Sequence, residues 1–100
     1  MNMPVLYQLE FHGDDALLKT VIDETIKEVN KKTRKGIIKV LETTRHLIDG
    51  RTLIELGIEI KSERFSEIRA VFGKTWRRIA YSHGALDQKS IDWMRKNGEL

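Results

Sequence analysis

The sequence contains no cysteine among its 100 residues. A disulfide framework, a thiolate metal site and a cysteine nucleophile are therefore excluded, and the composition suits a reducing compartment. Long apolar runs are also missing, because the clusters GIIKVL and LIELGIEI are far shorter than the roughly 20 residues of a membrane-spanning helix. The N-terminal MNMPVLYQLEFHG lacks the basic and apolar regions of a signal peptide. We expect a cytoplasmic protein with no membrane partner.

Metal-ligand spacing is absent as well. The three histidines, His12, His46 and His83, are scattered, and no two of them form an H-x-x-x-H pair. The sequence therefore predicts no metal and no cofactor. It also has no repeats, linkers or low-complexity segments, and its length fits a single domain that spans residues 1–100.

The positive charge is concentrated in the second half of the chain. Residues 1–50 hold eight basic and eight acidic side chains, whereas residues 51–100 hold ten and seven. Residues 61–78 alone hold six basic and two acidic side chains. A local excess of this kind indicates a polyanionic partner.

The N-terminal segment shows two clear periodicities. VLYQLEFHG alternates between apolar and polar residues, which predicts a half-buried strand closed by Gly13. Asp14 or Asp15 can then cap a helix. Apolar residues recur at three- and four-residue steps over residues 17–29, so this helix has one apolar stripe.

A second stripe with helical spacing covers residues 37–48. Thr33 is available to cap it and Gly50 to end it. The short break between the two stripes predicts an antiparallel helix hairpin.

The remaining segments predict a small sheet. RTLIELGIEI is ambiguous, and we expect a loop with a short extended piece. RFSEIRAVF predicts a strand, Gly73 and Lys74 a hairpin turn, and TWRRIAYSH the returning strand. KSIDWMRKNGEL predicts either a last strand or a short helix. The fold class is therefore α+β, with an N-terminal strand, an antiparallel helix hairpin and then a small antiparallel sheet.

The predicted hairpin places Glu67 beside Arg69 on its open face, and one register adds Arg78. Two interpretations remain open. The first is a cross-strand salt bridge on a solvated surface. The second is a phosphodiester site, in which arginine forks bind phosphate oxygens and stabilise the phosphorane, while Glu67 removes the proton of a ribose 2′-hydroxyl.

The ordered set of motifs resembles the RelE/ParE superfamily of toxins from type II toxin–antitoxin systems, and in particular its HigB-like, phage-associated branch. EIKSERFSEIR, FGKTWRRIAY and IDWMRKN are the segments that resemble the family. The resemblance implies a RelE-like fold and a metal-independent endoribonuclease that cleaves mRNA, often on the ribosome. It implies a cognate antitoxin protein, mRNA and the ribosome as partners.

Carried over by position, the resemblance also implies the residues of the site. The catalytic residues would be Glu67, Arg69 and Arg78, and the RNA-binding residues Lys61, Arg77, Tyr81, Arg95 and Lys96. Two alternatives stay open because a fold does not determine a function. One is a non-catalytic toxin of the same fold that inhibits DNA gyrase, and the other is a phage or plasmid nucleic-acid-binding accessory protein.

Overall fold

The computed structural model describes residues 2–32, 38–48, 51–61 and 63–100. In chain order its elements are β1 (Asn2–Glu10), α1 (Asp15–Lys32), β2 (Ile38–Ile48), β3 (Arg51–Lys61), α2 (Phe65–Ser82) and α3 (Gln88–Lys96). The α+β class is confirmed, because helices accompany a three-stranded antiparallel sheet. The order of the elements differs from the predicted one. None of the helices in these ranges has the length and apolarity needed to cross a membrane.

The sheet has the order β1-β3-β2, with β3 in the centre. Both outer strands run antiparallel to β3, so β1 and β2 run parallel to each other. Helix α1 connects these two parallel strands across β3, which makes a split βαβ unit. A β-bulge interrupts the register of β2 between Val40 and Glu42.

Strand β3 forms the buried floor of the domain. Ile54, Leu56, Ile58 and Ile60 are fully buried, whereas the alternate residues are partly exposed or are glycine. This alternation of period two places one face of the strand in the core. The segment that we expected to be mainly a loop is therefore the central strand of the sheet.

Helix α1 confirms the prediction from its apolar stripe. Asp14 is the capping residue, because its Oδ1 accepts a hydrogen bond from the backbone N–H of Leu17 at 2.8 Å. Asp15 is the first helical residue. The buried residues of the helix are Leu18, Val21, Ile22, Thr25 and Val29.

The predicted helix over residues 37–48 is wrong, since residues 38–48 form β2. With it the antiparallel helix hairpin is also wrong. The segment is rich in β-branched isoleucine, valine and threonine, which pack well on a pleated surface and lose rotamer freedom in a helix. Ile38 pairs with Ile60, and Val40 pairs with Ile58. The expected caps Thr33 and Gly50 lie outside the described residues.

The predicted hairpin over residues 64–83 is also wrong, because α2 is one continuous helix through Gly73 and Lys74. Ile68, Phe72 and Ile79 are buried along it, together with Trp76 between them. These residues are spaced by three or four, so one helical face reaches the core. The buried residues thus follow the helical spacing and not the two-residue alternation that indicated two strands.

The C-terminal segment takes the helical alternative. Asp87 caps α3 through a 2.9 Å bond from the Ser90 N–H to its Oδ1. The helix ends in a Schellman motif, in which Gly98 has a φ of 71° and the Glu99 N–H donates to the Met94 carbonyl at 2.8 Å. This turn directs Glu99 back toward α2.

Candidate nucleic-acid interface

The three predicted catalytic residues all lie on α2 and do not meet at one point. Glu67 and Arg78 are eleven positions apart in the helix, which separates them by about 16 Å along the axis. Arg69 is two positions from Glu67 and projects about 200° around the helix from it. A hairpin would place Glu67 and Arg69 side by side. In the helix their side chains project from different sides.

Glu67 instead forms an ion pair with Arg64 at the start of α2. The Arg64 Nε donates to Glu67 Oε2 at 2.9 Å, and Nη2 donates to Oε1. The hydrogen bond, and then the guanidinium charge, lower the pKa of Glu67 from its usual value. The same bond raises the pKa of Arg64. A carboxylate with a lowered pKa is a weaker general base.

We expect Arg64→Ala to raise the pKa of Glu67 toward that of an ordinary glutamate. A carboxyl group with a depressed folded-state pKa contributes stability above its unfolded-state pKa, and loses that contribution as the pH falls through the folded-state pKa. The difference in stability between wild type and variant should therefore vanish in acid. NMR titration of the Glu67 side chain measures the shift, with Arg95→Ala as the control. An unchanged Glu67 pKa in Arg64→Ala would contradict the pairing.

Arg78 lies on the wall of a pocket between the helices. Lys74 and Arg78 project from consecutive turns of α2, and Lys32 projects from the last turn of α1. The pocket has a volume of about 270 Å³. Its lining residues are Lys32, Val71, Lys74, Thr75, Arg78, Met94 and Glu99.

The pocket carries an excess of positive charge. Like charges four residues apart on a helix repel each other, as Lys74 and Arg78 do. Arg78 forms one ion pair among the described residues, since its Nη2 lies 3.6 Å from Glu28 Oε1. The acidic residue in the lining, Glu99, is bonded to Arg77. Within the described ranges, neither Lys32 nor Lys74 forms an ion pair. We define Lys32, Lys74 and Arg78 as the basic pocket.

An aromatic side chain adjoins the basic pocket. The guanidinium of Arg77 lies 4.8 Å from the centroid of the Trp93 ring, a cation–π distance. The same guanidinium donates to both carboxylate oxygens of Glu99, at 2.6 and 2.7 Å. Trp93 is 48% exposed. This surface therefore combines cations with an accessible aromatic ring.

The other predicted RNA-binding residues are spread over the molecule. Tyr81 is exposed one turn after Arg77 on α2, and Arg95 and Lys96 are exposed in the last turn of α3. Lys61 is at the end of β3, with its Nζ 3.7 Å from Glu59 Oε1. These two residues alternate with buried isoleucines, so they lie on the sheet face opposite the helices.

A larger groove between α1 and β2 has balanced charge. Its volume is about 540 Å³. Asp15 and Asp23 line it together with Lys19 and Arg45, and Arg45 Nη2 lies 2.6 Å from Asp15 Oδ1. Because opposite charges offset each other there, this groove offers less attraction for an anion than the basic pocket.

Sequence reasoning missed Lys32 and Lys74. The sequence predicts a turn at Lys74, and Lys32 belongs to the basic run KKTRK, which favours a solvated turn between the two stripes. The four-residue spacing of Lys74 and Arg78 is a usable signal only when the segment is treated as a helix. Across the residues that the structure describes, no three histidine, aspartate or glutamate side chains group as metal ligands.

These features define a small α+β domain of the split βαβ type, with a basic surface and an exposed tryptophan on its helical layer. No protein-family model, curated protein or solved structure gives a significant match to the chain. The resemblance to the RelE/ParE superfamily thus depends on the motifs alone. The motif residues from Glu67 to Tyr81 lie on one helix, where the resemblance implies two strands.

Proposed function

We propose that the protein binds nucleic acid through the phosphate backbone at the basic pocket, without cleaving it. The observation that supports this most is the convergence of Lys32, Lys74 and Arg78 from two helices on one pocket. Two of these cations have no ion-pair partner in the described part of the chain. A phosphate in the pocket would offset the repulsion between the positive charges of Lys74 and Arg78.

The chemistry of the pocket suits phosphate groups. The planar fork of Arg78 matches two phosphate oxygens, and the two lysines act as mobile point charges. Backbone contacts of this kind release condensed counterions, so the binding weakens steeply with salt. They fix the position of the strand and carry no sequence information.

The spacing on α2 supports binding without cleavage. Attack by a 2′-hydroxyl needs a base and a charge-stabilising cation around one phosphate. Glu67 is about 16 Å along the helix from Arg78, and its carboxylate is bonded to Arg64. The proposal thus develops the nucleic-acid-binding alternative. The endoribonuclease activity, the antitoxin and the ribosome stay predictions from the motif resemblance.

Salt-dependent binding tests the proposal. We expect the triple variant Lys32→Ala, Lys74→Ala, Arg78→Ala to weaken binding of a labelled single-stranded RNA by at least roughly tenfold at low salt. The plot of log K against log salt should become shallower by about 2, since each phosphate contact contributes about 0.7. Fluorescence anisotropy measures both quantities.

The matched control removes the same charge elsewhere, through Lys19→Ala, Lys39→Ala and Lys89→Ala together. These lysines lie on the α1 groove, on the open face of the sheet and in the first turn of α3. The control variant should keep a slope close to that of the wild type. Equal losses in both triple variants would show that net charge alone governs binding, and would contradict a defined pocket.

The fate of the RNA distinguishes binding from cleavage. After incubation with the wild type, the RNA should migrate intact on a denaturing gel. Products with a 2′,3′-cyclic phosphate that disappear in Glu67→Ala would overturn the proposal and favour the endoribonuclease.

A further inference from the structure

The Arg77–Trp93 pair has a geometry that the basic pocket alone does not explain. One side of the indole ring faces the Arg77 guanidinium at 4.8 Å, while 48% of the residue's surface stays accessible. We propose that Trp93, supported by Arg77, stacks an unpaired base, so that the ligand of this surface is single-stranded nucleic acid. This inference rests on the proposed function.

We call the Trp93 ring, together with the Arg77 guanidinium beside it, the platform. Contacts within the domain hold the platform in place before a ligand arrives. Glu99 is partly buried, with 13% of its side chain exposed, and its two carboxylate oxygens accept hydrogen bonds from Nε and Nη2 of Arg77. The Schellman turn at Gly98 fixes the backbone of Glu99 in turn. A ring that is already oriented loses little conformational entropy when a base stacks on it.

Glu99 connects the Arg77–Trp93 pair to the basic pocket. Met94 and Glu99 line the pocket, Trp93 precedes Met94 in α3, and Glu99 bonds to the arginine over the ring. A phosphate in the pocket and a base on Trp93 would therefore belong to one short stretch of strand. Grooves that combine cations with aromatic platforms are typical of proteins that bind single strands.

Charge decides between a nucleic acid and a protein partner at this surface. An exposed tryptophan also suits a protein interface. The adjacent Lys32, Lys74 and Arg78, however, add an excess of positive charge that complements a polyanion. In a duplex the bases are stacked inside and out of reach, so the platform distinguishes unpaired from paired strands.

Two probes of similar charge separate stacking from backbone contact. Single-stranded RNA carries phosphates and bases, whereas inorganic polyphosphate carries phosphates alone. We expect Trp93→Ala to weaken RNA binding by about 5- to 100-fold and to leave polyphosphate binding unchanged. Trp93→Phe, which keeps an aromatic face, should lose less RNA affinity than Trp93→Ala. RNA should also quench tryptophan fluorescence in the wild type and much less in Trp93→Phe, where only buried Trp76 remains.

The control is Leu47→Ala, which removes another exposed apolar side chain, 77% accessible, from β2. It should change neither affinity. Equal weakening of both probes by Trp93→Ala, or no weakening of either, would overturn the platform and leave backbone binding standing. Duplex RNA that binds as tightly as the single strand would overturn it as well. If the wild type binds neither probe, the proposed function itself fails.

Discussion

Replacement of Trp76 by alanine should lower the free energy of unfolding by about 3–5 kcal/mol. Trp76 is 1% exposed, and its ring centroid lies 6.2 Å from that of Phe11. The truncation removes the largest side chain of the core and leaves a cavity beside α2. Small domains have a total stability on the order of 5–15 kcal/mol. The melting temperature should therefore fall by roughly 15–30 °C.

The chain supplies a matched control in its second tryptophan. Trp93→Ala removes the same atoms from a ring that is 48% exposed. It should cost about 0.5–1 kcal/mol, mainly through the lost cation–π contact with Arg77. Urea unfolding followed by circular dichroism measures both variants.

The comparison also tests the helical state of α2. In the hairpin that the sequence predicted, Trp76 shares a face with Arg78, and an open face would make its truncation cheap. In the helix it points into the core. Similar small losses for Trp76→Ala and Trp93→Ala would contradict the helical placement.

The two N-terminal elements were predictable because local signals agreed with the tertiary structure. In β1, the residues that alternate as apolar in the sequence, Val5, Tyr7 and Leu9, pair with the buried residues of β3. In α1, the apolar stripe and an aspartate cap both indicate a helix. Neither element has a competing period.

The predictions for β2 and α2 are wrong in opposite ways, because a predicted helix is a strand and a predicted strand hairpin is a helix. Both errors have the same cause. Short segments of mixed apolar and polar residues match both a period of two and a period of 3.6, and the partner across the core decides between them. Ile38 and Val40 pair with Ile60 and Ile58 of β3 along the edge of that strand, so an extended conformation continues the buried face of the sheet. Ile68, Phe72 and Ile79 need one broad face, which only a helix offers.

The basic pocket was only partly predictable. Arg78 stood out because of its basic surroundings in the sequence. Lys32 joins it through the antiparallel packing of α1 against α2, where Arg78 meets Glu28 and His83 Nε2 lies 2.9 Å from Glu24 Oε2. Contacts between residues so far apart in the chain depend on the sheet that sets the helix spacing. Local patterns do not contain that information.

The Arg77–Glu99 pair should show a coupling free energy of about 1–2 kcal/mol in a double-mutant cycle with Arg77→Ala and Glu99→Ala. Its side chains are 30% and 13% exposed, and two hydrogen bonds join them. Partial burial reduces the screening by water and strengthens both bonds. Glu99→Ala alone should also leave Arg77 without its support beside Trp93.

The matched control is the Arg64–Glu67 pair, which has the same two-bond arrangement with side chains 62% and 58% exposed. Water solvates both partners there, so its coupling should be much smaller. Thermal unfolding at low and high salt measures both cycles, and salt should reduce the exposed pair more. If the two cycles gave equal couplings, burial of Glu99 would contribute nothing. Glu99 would then restrain Arg77 no more than an exposed ion pair restrains its arginine. The preorganised platform at Trp93 would lose its physical basis.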